Sequence, residues 1–390
     1  MRIAIILPLL ISRTGPQRFV AEVTKALRAK GCKVRVFSLI YKKEETFESL
    51  REEHIVYIRH NLLSRIFKYL LKIFFHKWNR IEPSFIGVPV SVFVVPILAL
   101  FAIIKYKPNV LIINSGQTLI CILKLIFKRV RIVLLYHGGG FPTIRASTPL
   151  LKFLRIFEKT SARICIPVTN SCIVSHFLEK ELGIRPYVIH FGVDKMKFDT
   201  ISSIRRNDSK TLLYVGRIAP YKRQDFLIKL MPSILKRVED AKLVLIGNMS
   251  MSDKEYYKHL TKLINKLGLH EAVKIITNAS DAEVLKAYSE SSVYVNPSHE
   301  PLGTNILEAM AAGLPAIVSK RSENAEVVLH GETGFVLKDS PKEWIDHIVM
   351  LLIDSNYRKE LSTKARAWGL SFSWDKTATK LLSLVKHSRS

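Results

Sequence analysis

Two carboxylates, Glu300 and Glu308, stand in the stretch HEPLGTNILEAM, around a Gly-Thr-Asn turn. The run before them, SVYVNPS, reads as a strand ending near Ser298, so Glu300 falls in the loop at a strand's carboxyl end. The run after the turn, TNILEAMAAG, reads as a helix with Gly313 as its stop. Backbone N–H groups of its first turn, around Gly303, Thr304, Asn305 and Ile306, can receive an anion, and the helix dipole helps them. Gly303 would let a ligand come close to the backbone. Glu308, about one turn in, can reach the same crevice. A carboxylate in front, donors in the middle and a carboxylate behind suit a ligand with hydroxyls at both ends and phosphate between, such as a nucleotide-sugar. A solvated helix acid at 308 and a dipole-favoured acid at 300 would account for this stretch alone equally well.

The elements that must position these residues alternate. In the first half RIAIILPLL reads as a strand, PQRFVAEVTKALRAKG as a helix ending at Gly31, and KVRVFSLI as a second strand; NVLIINSG, RIVLLYHGG and ARICIPVTN follow as strands. The pattern restarts after VIHFGVDKMKF. KTLLYVGR is a strand, RQDFLIKLMPSILKRV a helix, and KLVLIGN, VKIITN, SVYVNPS and PAIVSK are further strands. Two doubly wound parallel α/β domains are expected, with ligands beyond the carboxyl ends of the strands. The polar run DTISSIRRNDSK, 199–210, is the expected linker between a first domain, 1–198, and a second, 211–370.

Composition narrows the classes. The chain has 390 residues, 48% of them hydrophobic, enough for two cores. The four cysteines, Cys32, Cys121, Cys165 and Cys172, form no C-x-x-C pair, which favours reduced thiols over a disulfide framework or a zinc site. MRIAIILPLLI lacks a small-x-small cleavage site after it and reads as a buried first strand. Lys and Arg number 60 against 33 Asp and Glu. The excess is uneven: residues 1–190 hold 30 basic and 10 acidic side chains, residues 191–390 hold 30 and 23. That bias points to anionic partners.

The stretch HEPLGTNILEAMAAGLPAIVS resembles the E-x7-E signature of the family-4 (group 1) retaining glycosyltransferases of the GT-B fold. LLYVGRIAPYKRQDFLI is similar to that family's Gly-Arg…Lys segment, HFGVDKMKF to its interdomain segment, and HGETGFVL to the Gly-x-x-Gly turn after the signature. FSWDKTATKLLSLV resembles the final helix, which implies that 371–390 pack back on the first domain. The resemblance covers most of 190–388 and, more loosely, the first 190 residues. It implies two Rossmann-like domains facing a cleft, a nucleotide diphosphate sugar as donor, and no cofactor or metal.

The resemblance also implies roles. Arg217 and Lys222 match the family's phosphate cations, which offset charge growing on the diphosphate leaving group. Glu300 matches the acid facing the donor sugar, and Glu308 the acid holding the ribose diol, for which two carboxylate oxygens are suited. The backbone of Leu302, Gly303, Thr304 and Asn305 would line sugar and diphosphate. Front-face attack, assisted by the leaving phosphate, would keep the anomeric configuration, with Glu300 orienting the sugar rather than acting as a nucleophile. His137, in LLYHGGG, resembles the family's histidine near sugar and acceptor. In SRTGPQRF the family often has two glycines; here Gly15 is followed by Pro16, which removes one N–H donor. In SKRSENAEVV, Ser322 and Glu323 occupy a place where two glycines are common.

Other classes lack their motifs. HGGG, 137–140, has no G-x-S-x-G elbow to serve, and there is no G-x-G-x-x-G after the first strand, no P-loop and no D-x-D pair. A nucleotide-sugar epimerase of the same fold is the alternative enzyme. A nucleic-acid-binding protein is the non-enzymatic one, but the basic residues sit within apolar segments and form no recognised nucleic-acid motif. Those segments point instead to a membrane. As a helix, LLSRIFKYLLKIFFHKWN, 62–79, groups Arg65, Lys68, Lys72, His76 and Asn79 on one face, as in a helix lying on an anionic bilayer. The uncharged run 86–104 contains Gly87, Pro89 and Pro96 and reads as a helix packed in the first domain or dipping into the interface rather than a span. The expected protein is cytoplasmic and peripheral on the inner membrane face, with a glycan or lipid-linked acceptor and no nucleic-acid partner.

Overall fold

The computed structural model describes residues 1–7, 9–10, 15–38, 40–41, 55–57, 95–114, 119–137, 149–201, 209–247 and 253–387. They fall into two compact units, one made of Met1–His190 with Trp374–Ser390, the other of Phe191–Ser373. The amphipathic stretch 62–79, residues 86–94, the glycines at 138–140 and linker residues 202–208 lie outside the described residues.

The first unit is built on strands β1 (Arg2–Ile6), β2 (Leu9–Leu10), β3 (Lys33–Ser38), β4 (Ile40–Tyr41), β5 (Ile55–Tyr57), β6 (Val110–Ile113), β7 (Arg131–Tyr136), β8 (Ile166–Thr169) and β9 (Tyr187–Val188). Seven of them form a parallel sheet in the order β5-β3-β1-β6-β7-β8-β9; β2 and β4 pair separately. The central strands are buried along nearly their whole length, as strands covered on both faces must be. Helix Gly15–Ala29 buries Phe19, Val20, Val23 and Leu27, and Gly31 at φ 77° ends the turn that follows. The run ARICIPVTN is strand only from Ile166; Ala162, Arg163 and Ile164 close the preceding helix, Pro149–Ile164. A short apolar run does not reveal its own period.

The final helix, Trp374–His387, belongs to this first unit, as the resemblance implied. It packs along Gly15–Ala29. Trp374 meets Phe19 edge-on with ring centroids 6.0 Å apart, and Lys30 pairs with Asp375 at 2.6 Å.

The second unit holds β10 (Thr211–Val215), β11 (Lys242–Gly247), β12 (Val273–Thr277), β13 (Val293–Asn296), β14 (Ala316–Ser319) and β15 (Gly334–Leu337), parallel in the order β12-β11-β10-β13-β14-β15. The chain moves outward from β10 to β12, then returns to lay β13 on the other side of β10. The exits of β10 and β13 therefore flank the point where strand order reverses, the place where such sheets bind ligands. Tyr214, Leu245, Val295, Ile317 and Trp344 lie in the core that holds the sheet. Helix Thr304–Ala311 begins at the β13 exit and ends with Gly313 at φ 76°, where the N–H groups of Gly313 and Leu314 return to the carbonyls of Met310 and Ala309. Helix Ser355–Ser371 lies against it at Gly369. A Cβ there would stand 2.3 Å from the Ala311 nitrogen, so only glycine permits that approach.

Candidate active site

Two loops of the second unit carry the predicted charges. After β10 the chain passes Gly216 and the exposed Arg217, then makes a short 3-10 turn, Pro220–Lys222, whose Lys222 is buried. β13 ends at Asn296, and the chain then passes Ser298 and His299 to Glu300, also buried. The Lys222 ammonium and the Glu300 carboxylate are in direct contact through Oε2. The other oxygen, Oε1, accepts from Ser298 Oγ at 2.8 Å and Asn296 Nδ2 at 3.1 Å. A buried carboxylate with a cation on one oxygen and two neutral donors on the other is fully satisfied and fixed in orientation. Burial, and after it the charge of Arg217, push Lys222 down to about 7; the touching carboxylate works in the opposite sense.

Helix Thr304–Ala311 supplies the second acid. Glu308 is buried on it, with Tyr288 Oη 3.5 Å from its Oε2. The same hydroxyl lies 3.2 Å from the Asn305 carbonyl. Asn305 Nδ2 donates to the Val215 carbonyl at 2.5 Å, which ties the helix start to the end of β10. Gly303 is the N-cap, and a Cβ on it would come within 2.4 Å of Asn305 Oδ1. The space its missing side chain opens is thus used by Asn305, a use the sequence reading did not foresee.

The amides expected to face an anion are partly engaged already. Leu302 N–H donates to Glu323 Oε2 at 3.2 Å and Gly303 N–H to Asn324 Oδ1 at 3.1 Å. Ser322 and Glu323 also reach the Glu300 carbonyl, through the Ser322 hydroxyl at 3.3 Å and the Glu323 N–H at 3.0 Å. The segment that departs from the glycine-rich family pattern therefore braces the loop that carries Glu300. Sequence reasoning marked that departure but not its contacts. It also missed Asn296, Ser298 and Tyr288, which look like ordinary strand and helix residues until the fold brings them to the acids.

In the first unit His137 follows β7 and is half-buried. Its Nε2 contacts the side-chain oxygen of Asn114, which follows β6. Phe19 stands against the ring with centroids 5.0 Å apart. Burial pushes the imidazole down to about 4, so it is neutral near pH 7, and Nε2–H donates to Asn114. Gly15 is exposed at the start of its helix. Arg217, Lys222, Glu300, Leu302, Gly303, Thr304, Asn305 and Glu308 all belong to the second unit, while Gly15 and His137 belong to the first.

Two parallel doubly wound sheets, of seven and six strands, are an architecture of the GT-B kind. Residues 197–368 match the model of the family "Glycosyl transferases group 1". An uncharacterised glycosyltransferase of Methanocaldococcus jannaschii is 32% identical over 263 residues, 64% of this chain and 65% of its own. The GDP-mannose-dependent alpha-(1-6)-phosphatidylinositol monomannoside mannosyltransferase of Mycobacterium tuberculosis is 29% identical over 192 residues, 47% of this chain and 49% of its own. The chain spans 43% to 65% of the length of these and other curated relatives it matches. Among solved structures, HepE of Anabaena in complex with UDP and glucose superposes with a TM-score of 0.74 at 18% identity, covering 100% of both chains. That likeness is one of fold.

Proposed function

We propose that the chain moves a hexose from a nucleotide diphosphate sugar to a glycan or lipid-linked acceptor, with retention at the anomeric carbon and without a metal ion. The observation that carries this reading is the Lys222–Glu300 contact beside Arg217, at the strand-order reversal of the second sheet. As the glycosidic bond breaks, negative charge grows on the leaving diphosphate. Arg217, at the strand exit, and Lys222 offset it, which is the work a metal does elsewhere. Glu300, locked by Ser298 and Asn296, presents a fixed carboxylate to the sugar hydroxyls and to positive charge at the anomeric carbon. Glu308 accepts from the ribose diol. His137, being neutral, exchanges hydrogen bonds with sugar or acceptor hydroxyls without adding a cation. The family match and relatives named for glycosyl transfer support the same reading.

The test is a panel of nucleotide-sugars, screened for protection against thermal unfolding. A donor at a hundred times its dissociation constant adds about 2.7 kcal/mol. Protection by none of them, with or without added magnesium or manganese, overturns the donor assignment; protection and turnover that need the metal overturn metal independence. A nucleotide-sugar epimerase would convert the donor without acceptor, so product analysis on donor alone separates the two enzymes.

We further infer that the enzyme works at an anionic membrane surface, as a peripheral protein on the cytoplasmic face. Among the described residues no helix is long and apolar enough to cross a membrane. Three helices of the first unit, Val95–Tyr106, Ile120–Ile126 and Pro149–Ile164, contact one another in series. They expose Ile97, Leu100, Ile104, Leu125, Phe153 and Ile156. Lys105, Lys107, Lys128, Arg129 and Lys152 are exposed around them, and from 95 to 157 the sequence has no acid. Outward apolar side chains within a basic rim suit an anionic lipid surface. The mannosyltransferase relative is named for a phosphatidylinositol-linked acceptor. Co-sedimentation with anionic but not neutral vesicles, weakened by salt, is the expected result; indifference to anionic vesicles at low salt overturns the membrane assignment and leaves the donor assignment standing.

A further inference from the structure

The residue after Lys222 is Arg223, with φ 58° and ψ 35°. Among the described residues only three non-glycines have positive φ, and this is one of them. An L side chain in that region is strained, because its Cβ crowds the following carbonyl oxygen. Glycine at this position would remove the strain and the side chain together.

Its guanidinium leaves the β10 loop and crosses to neighbouring strand exits. Nη1 donates to the Pro297 carbonyl at 3.3 Å and lies 3.0 Å from Asp339 Oδ1. It also lies 2.9 Å from His299 Nε2, which is itself 2.9 Å from Asp339 Oδ2. One tautomer of His299 donates to Asp339, and the other accepts from Arg223. Asp339, just beyond β15, accepts from Ser319 Oγ at the end of β14 at 2.8 Å. Desolvation raises the Asp339 carboxyl, but Ser319, Arg223 and His299 outweigh it and hold the group below the usual range, in its charged form. The guanidinium also lies over the Phe226 ring, 4.9 Å from its centroid. Arg223 and Asp339 side chains are 24% and 21% exposed, so this network is sheltered and differs from a surface ion pair of little worth. It links the exits of four strands, β10, β13, β14 and β15.

Two of those exits carry Lys222 and Glu300. Lys222 adjoins Arg223 in sequence, and Glu300 follows Pro297 and His299 in the loop that Arg223 grips. Reaction geometry is sensitive to displacements of about 1 Å, which can cost on the order of 10²-fold in rate.

We propose that Arg223, anchored by Asp339, is a positioning residue that sets the placement of Lys222 against Glu300. The side chain acts through the two loops. This rests on the donor-site reading given above.

The test compares the wild type with Arg223→Gly, Arg223→Lys and Asp339→Asn in the full chain. Glycine removes the tie but also the backbone cost, so the thermal midpoint of Arg223→Gly should stay near that of the wild type. Amide hydrogen exchange should nevertheless rise in the loops 219–224 and 297–303. Turnover of the best nucleotide-sugar should fall about 10-fold or more, with donor KM changed much less. Asp339→Asn should behave similarly, and Arg223→Lys should recover part of the turnover while keeping the backbone cost. Unchanged loop exchange or wild-type turnover in Arg223→Gly overturns the proposal. So does a turnover loss in all three variants that simply follows a lowered midpoint. If the wild type binds neither UDP, GDP nor any nucleotide-sugar, the donor reading fails and the proposal falls with it. That failure is read on the wild type and so is distinct from a normal Arg223→Gly.

Discussion

The exits of β10 and β13 in the second sheet and those of β6 and β7 in the first both lie beyond the carboxyl ends of neighbouring parallel strands, yet they are built differently. In the second sheet the charged groups are closed on one another: Lys222 on Glu300, Glu300 on Ser298 and Asn296, and the supporting loop on Ser322, Glu323 and Asn324. In the first sheet His137 is a neutral ring beside Asn114 and Phe19, placed by burial rather than by charge. The difference matches the tasks proposed for them. Stabilising a diphosphate leaving group needs fixed charges whose reorganisation is complete beforehand. Meeting a variable acceptor needs a group that can exchange hydrogen bonds and carries no charge to desolvate.

The largest expected effect would break or uphold this contrast directly. Arg217→Ala and Lys222→Ala should each lower turnover by about 10²-fold or more. Arg217 is exposed, and its variant should keep the thermal midpoint of the wild type. Lys222→Ala should not, because it leaves Glu300 buried without its cation, a loss of roughly 3–5 kcal/mol. Burial of Lys222 is what separates the two variants. Adding Glu300→Gln to Lys222→Ala should restore much of the midpoint and none of the turnover. If Lys222→Ala alone melts like the wild type, the closed charge network has no energetic substance.

A smaller effect should divide the two acids. Glu308→Ala is expected to weaken UDP or GDP binding by roughly 1.5–3 kcal/mol, the worth of hydrogen bonds to a charged group. Glu300→Gln should leave that binding nearly intact while impairing transfer. Isothermal titration with the free nucleotides reads both, and the reverse pattern would reassign the sugar and ribose ends of the site.

The smallest effect belongs to the first sheet. His137→Asn should reduce turnover by only about 3- to 10-fold, comparable to one neutral hydrogen bond of roughly 0.5–1.5 kcal/mol. Its clearer signature is pH. The folded His137 sits near 4, below the unfolded histidine value of about 6.5, so between these pH values the unfolded chain binds more protons. The corresponding stability is present above about 6.5 and is lost as pH falls towards 4. Denaturation midpoints across that window should fall less steeply for His137→Asn than for the wild type. A turnover loss as large as that of Lys222→Ala would mean that the two sheets share the chemistry more evenly than their construction indicates.

Sequence alone determined the alternation of parallel strands and helices, because strands covered on both faces must be continuously apolar and the intervening helices must carry an amphipathic period. It determined the turn glycine Gly313, and, through the family resemblance, the candidates Arg217, Lys222, Glu300 and Glu308 and the return of the final helix to the first unit. It left the split of ARICIPVTN between helix and strand unresolved, since a run of a few apolar residues fits both periods. Tertiary structure alone decided which charges meet. Lys222 and Glu300 are far apart in the chain, and only the placement of β13 beside β10 brings their loops together. The same holds for Asn305 under Val215, for Glu323 and Asn324 on the amides of Leu302 and Gly303, and for Arg223 on Asp339. Local propensity is written in neighbouring residues, whereas these contacts depend on sheet order, which is set by how the whole apolar core can be buried at once.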